Sequence, residues 1–162
     1  MSATLTAPRL ARPRHAAGTG PAPAAGLDTR LADAVREGAV RATVAVGLGA
    51  VAAIHAVDGV GKWTETRYMF WMYMAAIAGA MIVGAAVLFS RSRAALLAAA
   101  AVAGSVLLGY VVDRTIGMPG ATGDIGNWTE PLGLASLVVE AGTVAVALGG
   151  LALRPVRSEV VA

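Results

Sequence analysis

Glu140 lies nine residues beyond Pro131, inside the apolar stretch LGLASLVVEAGTVAVALGGLAL that covers residues 132–153. If that stretch is a helix crossing a bilayer, its rise per residue puts the carboxyl group roughly 13 Å below the surface, near the midplane. An ionisable group at that depth is costly and is a functional candidate by default. A protonatable acid there suits a proton relay or a cation site. A neutral acid hydrogen-bonded to a neighbouring helix is the structural alternative.

His55 and Asp58 stand three residues apart in IHAVD, so a helix carries both on one face. YVVDR places Asp113 and Arg114 at the end of a third apolar run, with Tyr110 one turn below, and Glu130 precedes the fourth run. Helix ends at one height bring His55, Asp58, Tyr110, Asp113, Arg114 and Glu130 toward one outer polar cluster. Imidazole with carboxylates suits zinc or another divalent ion. A histidine that caps a helix end is the alternative. Met69, Met72 and Met74 in YMFWMYM, with His55, offer soft ligands for Cu(I). The same run also reads as adaptable packing within an aromatic belt. No cofactor is expected, and copper or zinc stands as the alternative.

Other chemistry is excluded by composition. The chain has no cysteine, hence no thiolate site and no disulfide. The glycines of DRTIGMPGATGDIGNWTEP are not followed by G-K-[ST], so they form no phosphate loop. No Ser/His/Asp set is arguable, and no nucleic-acid partner is expected.

The elements that must position these groups follow from hydropathy. Of 162 residues, 57% are hydrophobic and only 14% charged, with a mean hydropathy of +0.68. Soluble domains carry about 25% charged residues, so this chain belongs to the membrane class. Four apolar runs, about 42–60, 68–90, 94–112 and 132–153, each approach the roughly 20 residues that span a hydrocarbon core. Backbone groups in lipid must pair internally, and continuous apolarity rules out barrel strands. The sequence therefore predicts an all-α, four-helix transmembrane bundle over 42–153. A disordered tail precedes it at 1–27, then an amphipathic segment at 28–41 with Asp28 as N-cap, and a tail follows at 154–162. Segment 28–41 reads either as a surface helix or as an extension of the first span.

Ten basic residues fall on one side of these spans and three on the other, which predicts both termini in the cytoplasm. Arginine-rich, Ala/Gly-rich composition points to a bacterial inner membrane. On the outer face the chain spells G-x-W-T-E twice, at Gly61–Glu65 and Gly126–Glu130. Thr64 and Thr129 read as N-caps of the second and fourth helices. Trp63, Trp71 and Trp128 read as interfacial anchors. The two halves then look like a repeated helical hairpin, or like two loops with the same capping needs. Small residues along every span favour close helix packing and, beyond the lipid bilayer itself, a homo-oligomer or other membrane subunits as partners.

The segments IHAVDGVGKW, YMFWMYMAAIAGAM and YVVDRTIGMPG…NWTEPLGLASLVVEA resemble small uncharacterised four-helix integral membrane proteins of actinobacteria. Those carry a first-helix His, an R-T-x-G-[LM]-P-G outer loop and a fourth-helix Glu. The resemblance covers about residues 42–153 and matches at His55, Arg114, Gly117, Pro119, Gly120, Glu130, Pro131 and Glu140. It implies the fold but no activity. Small multidrug transporters also have four helices, but their essential Glu is in the first.

Two readings of function follow. One is a non-catalytic accessory or assembly component of a membrane complex. The other is a proton- or metal-ion-coupled transporter or sensor that uses Glu140 with His55, Asp58 and Asp113. An enzyme acting on lipid or quinone is the weakest third.

Overall fold

The computed structural model describes residues 23–153. Residues 1–22 and 154–162, with their arginines, lie outside the described residues; residues 23–27, expected to belong to a disordered tail, form the first turn of α1 instead. Four helices account for almost all of the rest: α1 (Pro23–Glu65), α2 (Arg67–Phe89), α3 (Arg93–Thr115) and α4 (Pro131–Ala152). All four contain windows long and apolar enough to cross a membrane, with mean hydropathies from 1.7 to 2.2. The fold is all-α, a four-helix bundle of a multi-pass membrane protein.

The helices form a ring in chain order. α1 packs along α2, α3 along α4, and α1 against α4, while α2 and α3 touch more sparingly. One end of the bundle carries the α1–α2 and α3–α4 connections and is called the loop end. The other carries the short α2–α3 turn.

The sorting of side chains is inverted relative to a water-soluble protein. Small and polar groups point inward: Ala80, Ala95, Ala99, Ala103 and Ala147 fill the core beside Val44, Leu48 and Val51. Val46, Met81, Ile82, Leu108, Val138 and Leu148 point outward. Lipid tails are as apolar as these side chains, so close backbone packing holds the helices together. At the tightest crossing, a Cβ on Gly47 would collide with Thr143.

Segment 28–41 is helical and continuous with the first span. Nothing between Gly38 and Thr43 breaks the helix, so α1 runs 43 residues, about 65 Å. Asp28 is not an N-cap, because α1 already starts at Pro23. Arg41 is buried at the join, where it pairs with Glu37 at 3.6 Å and donates to the carbonyls of Val87 and Ser90. It thereby satisfies orphan acceptors at the end of α2. At the start of α3, the Ser92 hydroxyl accepts from the Ala95 amide at 3.1 Å, an N-cap.

The two G-x-W-T-E phrases adopt different structures. Trp63, Thr64 and Glu65 lie in the last turn of α1, and Thr66 is the N-cap of α2. Trp128 and Thr129 lie in the α3–α4 loop, and Glu130 is the N-cap of α4, with Pro131 in its first turn. Neither Thr64 nor Thr129 caps a helix. The same letters diverge because Gly126, at φ +79°, and Pro131 break the chain only at the second island.

Candidate functional site

Four helices and one loop converge at the loop end around a cavity of about 530 Å³. α1 contributes His55, Asp58 and Lys62, spaced to share a helix face. α2 contributes Met69, Met72 and Tyr73, and α3 contributes Tyr110, Asp113 and Arg114. The loop adds Met118, Asp124 and Glu130, and α4 adds Gly133 and Ser136. The structure thus brings His55, Asp58, Tyr110, Asp113, Arg114 and Glu130 to one space. Glu140 lies apart from the cavity wall.

Arg114 organises one side. Its guanidinium is 2.6 Å from Glu130, 2.9 Å from Asp124 and 3.5 Å from Asp113, and the residue is only 5% exposed. A buried cation is tolerable only when paired and hydrogen-bonded, which these carboxylates accomplish. Its backbone carbonyl accepts from the Gly126 amide at 2.8 Å, so main chain and side chain both tie the loop down. The Arg114 guanidinium also lies over the Tyr110 ring at 5.0 Å, and Trp128 meets that ring edge-on at 6.0 Å. Gly133 makes room for Tyr110: a Cβ there would come within 2.7 Å of the ring. Farther along the loop, the Tyr68 hydroxyl donates to the Pro119 carbonyl at 2.7 Å and joins α2 to it. Gly117 and Gly120 take positive φ at that turn.

The opposite side is built by α1 and α2. The Tyr73 hydroxyl donates to Asp58 at 2.6 Å, and its ring packs edge-on against His55 at 4.9 Å. His55 is buried, with Nδ1 2.9 Å from the Val51 carbonyl. A carbonyl can only accept, so Nδ1 carries a proton and donates it to Val51.

Beside the cavity, Ser136 and Glu140 form a polar pair one turn apart on α4. The Ser136 hydroxyl donates to Glu140 Oε1 at 2.5 Å, and Glu140 is fully buried. Glu140 Oε2 and Asp113 Oδ1 are buried without a hydrogen-bond partner among the described residues. Ser136 lines the cavity, so its hydroxyl stands between that space and Glu140. No hydrogen bond joins Glu140 to His55, whose Nδ1 is committed to Val51.

Among the described residues, no three His, Cys, Asp or Glu side chains gather closely enough to hold a metal ion. Met69 and Met72 share the cavity with His55, but Met74 does not line it. Of the interfacial tryptophans, Trp63 packs edge-on against Phe70 and Trp71 at 5.0 and 6.3 Å, with Arg67 4.7 Å above its ring. All three tryptophans are substantially exposed.

Sequence reasoning missed four site residues. Ser136 was findable, because a residue four before a buried acid faces it across one helical turn. Tyr73 was absorbed into the aromatic belt, and Lys62 into the charge count. Asp124 reaches Arg114 only through the fold of a glycine-rich loop.

No protein-family model, curated protein or solved structure matches the chain.

Proposed function

We propose that this chain is a proton-coupled carrier or sensor of a small cationic solute in a bacterial plasma membrane, with both termini cytoplasmic and the cavity on the outer side. One observation carries the reading: ionisable residues of three helices and a loop line a single cavity, and Ser136 on its wall is hydrogen-bonded to the buried Glu140. Four carboxylates line the cavity against two fixed cations, Lys62 and Arg114, an excess of two negative charges. That excess attracts a cation. An ionised carboxyl group at the depth of Glu140 is costly without a counter-ion. Glu140 therefore exchanges a proton or pairs with what enters. The orientation rests on the arginine and lysine distribution, and the actinobacterial setting on the sequence resemblance. Cu(I) at His55, Met69 and Met72, whose soft thioethers line the cavity beside the imidazole, is a separate proposal.

The test is proton movement in proteoliposomes upon addition of tetramethylammonium, read with an internal pH dye. The wild type responds and Glu140→Gln does not, with unchanged thermal stability. A variant that responds like the wild type overturns the role of Glu140.

A second reading, an accessory or assembly subunit, is favoured by the α1 extension. Leu27, Leu31 and Val35 recur every fourth residue and are each more than 60% exposed. A straight α1 is about twice as long as the roughly 30 Å core, so these residues project beyond the lipid and can receive a partner subunit. Blue-native electrophoresis of gently solubilised membranes tests this. A species no larger than a monomer or simple dimer counts against it.

A further inference from the structure

The cavity has a direction, and this inference rests on the cation-binding reading above. Its fixed charges are gathered at the loop end: Asp58 and Lys62 near the end of α1, Asp113 and Arg114 in the last turn of α3. From there the lining runs down α3 to Val102, twelve residues or about 18 Å, and down α2 to Gly79. Along that descent the walls become small and uncharged: Ala75, Ala76 and Gly79 face Val102, Ser105 and Val106. Ala75 and Ser105 line the cavity and are also exposed at the bundle surface. These residues lie along the α2–α3 seam, where the helices pack most sparingly among neighbours, so this seam is the side on which the space comes nearest the lipid. Gly109 borders this seam, and a Cβ there would meet nothing within 4 Å.

We infer that the ligand is a single-chain cationic amphiphile, its ammonium head among the carboxylates and its alkyl chain leaving through the α2–α3 gap into the lipid. The head finds the excess of carboxylates at Asp58, Asp113, Asp124 and Glu130 and the aromatic ring of Tyr73, a combination that suits a quaternary or primary ammonium. The chain finds alanine, valine and glycine, then hydrocarbon. An inorganic cation would leave the lower half of the cavity unused. An anionic amphiphile would meet repulsion at the head.

A photoactivatable decyltrimethylammonium with a diazirine on its chain tests this, using the full chain in phosphatidylcholine nanodiscs. Adducts should concentrate at residues 72–79 and 102–109. Excess decyltrimethylammonium or tetramethylammonium should suppress them, and decyl sulfate should not. Gly109→Phe, or Ser105→Phe where the first fails to fold, fills the gap and should lower labelling at these residues to the level left by excess decyltrimethylammonium. Suppose labelled tetramethylammonium binds, but chain adducts spread evenly over the lipid-facing surface. The amphiphile inference is then overturned and the cation reading survives. Absence of both tetramethylammonium binding and competable adducts overturns both.

Discussion

Ser136 donates its hydroxyl proton to Glu140 Oε1 at 2.5 Å, and the two sit one turn apart on α4, the first on the cavity wall and the second fully buried. This pair is the only route by which the described hydrogen bonds connect the cavity to the buried acid. Ser136→Ala removes the donor and leaves both Glu140 oxygens unpaired, at a cost of about 1–3 kcal/mol. The double variant Ser136→Ala/Glu140→Leu replaces both partners by apolar groups and should recover most of that loss. Thermal unfolding in mild detergent measures both. A single variant as stable as the wild type would mean that the bond carries nothing.

Arg114 holds three carboxylates, so Arg114→Met should cost about 3–5 kcal/mol, the usual consequence of stranding buried charge. The damage should be local. Residues 116–130 should become cleavable by trypsin-independent proteases before the helices unfold. Arg114→Lys keeps the charge but loses the planar fork and should fall between the two. Proteolysis that begins elsewhere would show that Arg114 does not anchor the loop.

Gly133→Ala adds a Cβ that would lie 2.7 Å from the Tyr110 ring. Overpacking of this kind costs about 1–3 kcal/mol. Tyr110→Ala should rescue it, making the double variant less destabilised than the sum of the singles. Additive losses in a thermal-shift cycle would refute the contact.

How much of this was legible follows from the physics of each element. The four spans were readable because hydrocarbon fixes their length and polarity, and the ends of α2, α3 and α4 fall close to the expected positions. Glu140 was readable from depth alone. The convergence of Asp58, Asp113 and Glu130 was expected from helix height, and they do line one cavity. The G-x-W-T-E phrase misled because identical letters sit against different flanking breakers. Asp124 was invisible because only the turns at Gly117, Gly120 and Gly126 bring it back onto Arg114. The continuity of α1 was left open because an amphipathic segment is helical either on a surface or in line with a span.

The proposed orientation can be tested without background, since the chain has no native cysteine. Gly123 is exposed in the α3–α4 loop, and a Cβ there meets nothing within 4 Å, so Gly123→Cys should fold normally. Ala94 is exposed at the start of α3, at the opposite end of the bundle. The proposed orientation, drawn from the arginine and lysine bias, would put the first outside and the second inside. A membrane-impermeant maleimide should therefore label Gly123→Cys in intact cells and Ala94→Cys only after permeabilisation. The reverse pattern would turn the cavity toward the cytoplasm and reverse the side from which a cation enters. Equal labelling at both sites would indicate dual insertion, and a directional carrier would then need another source of asymmetry.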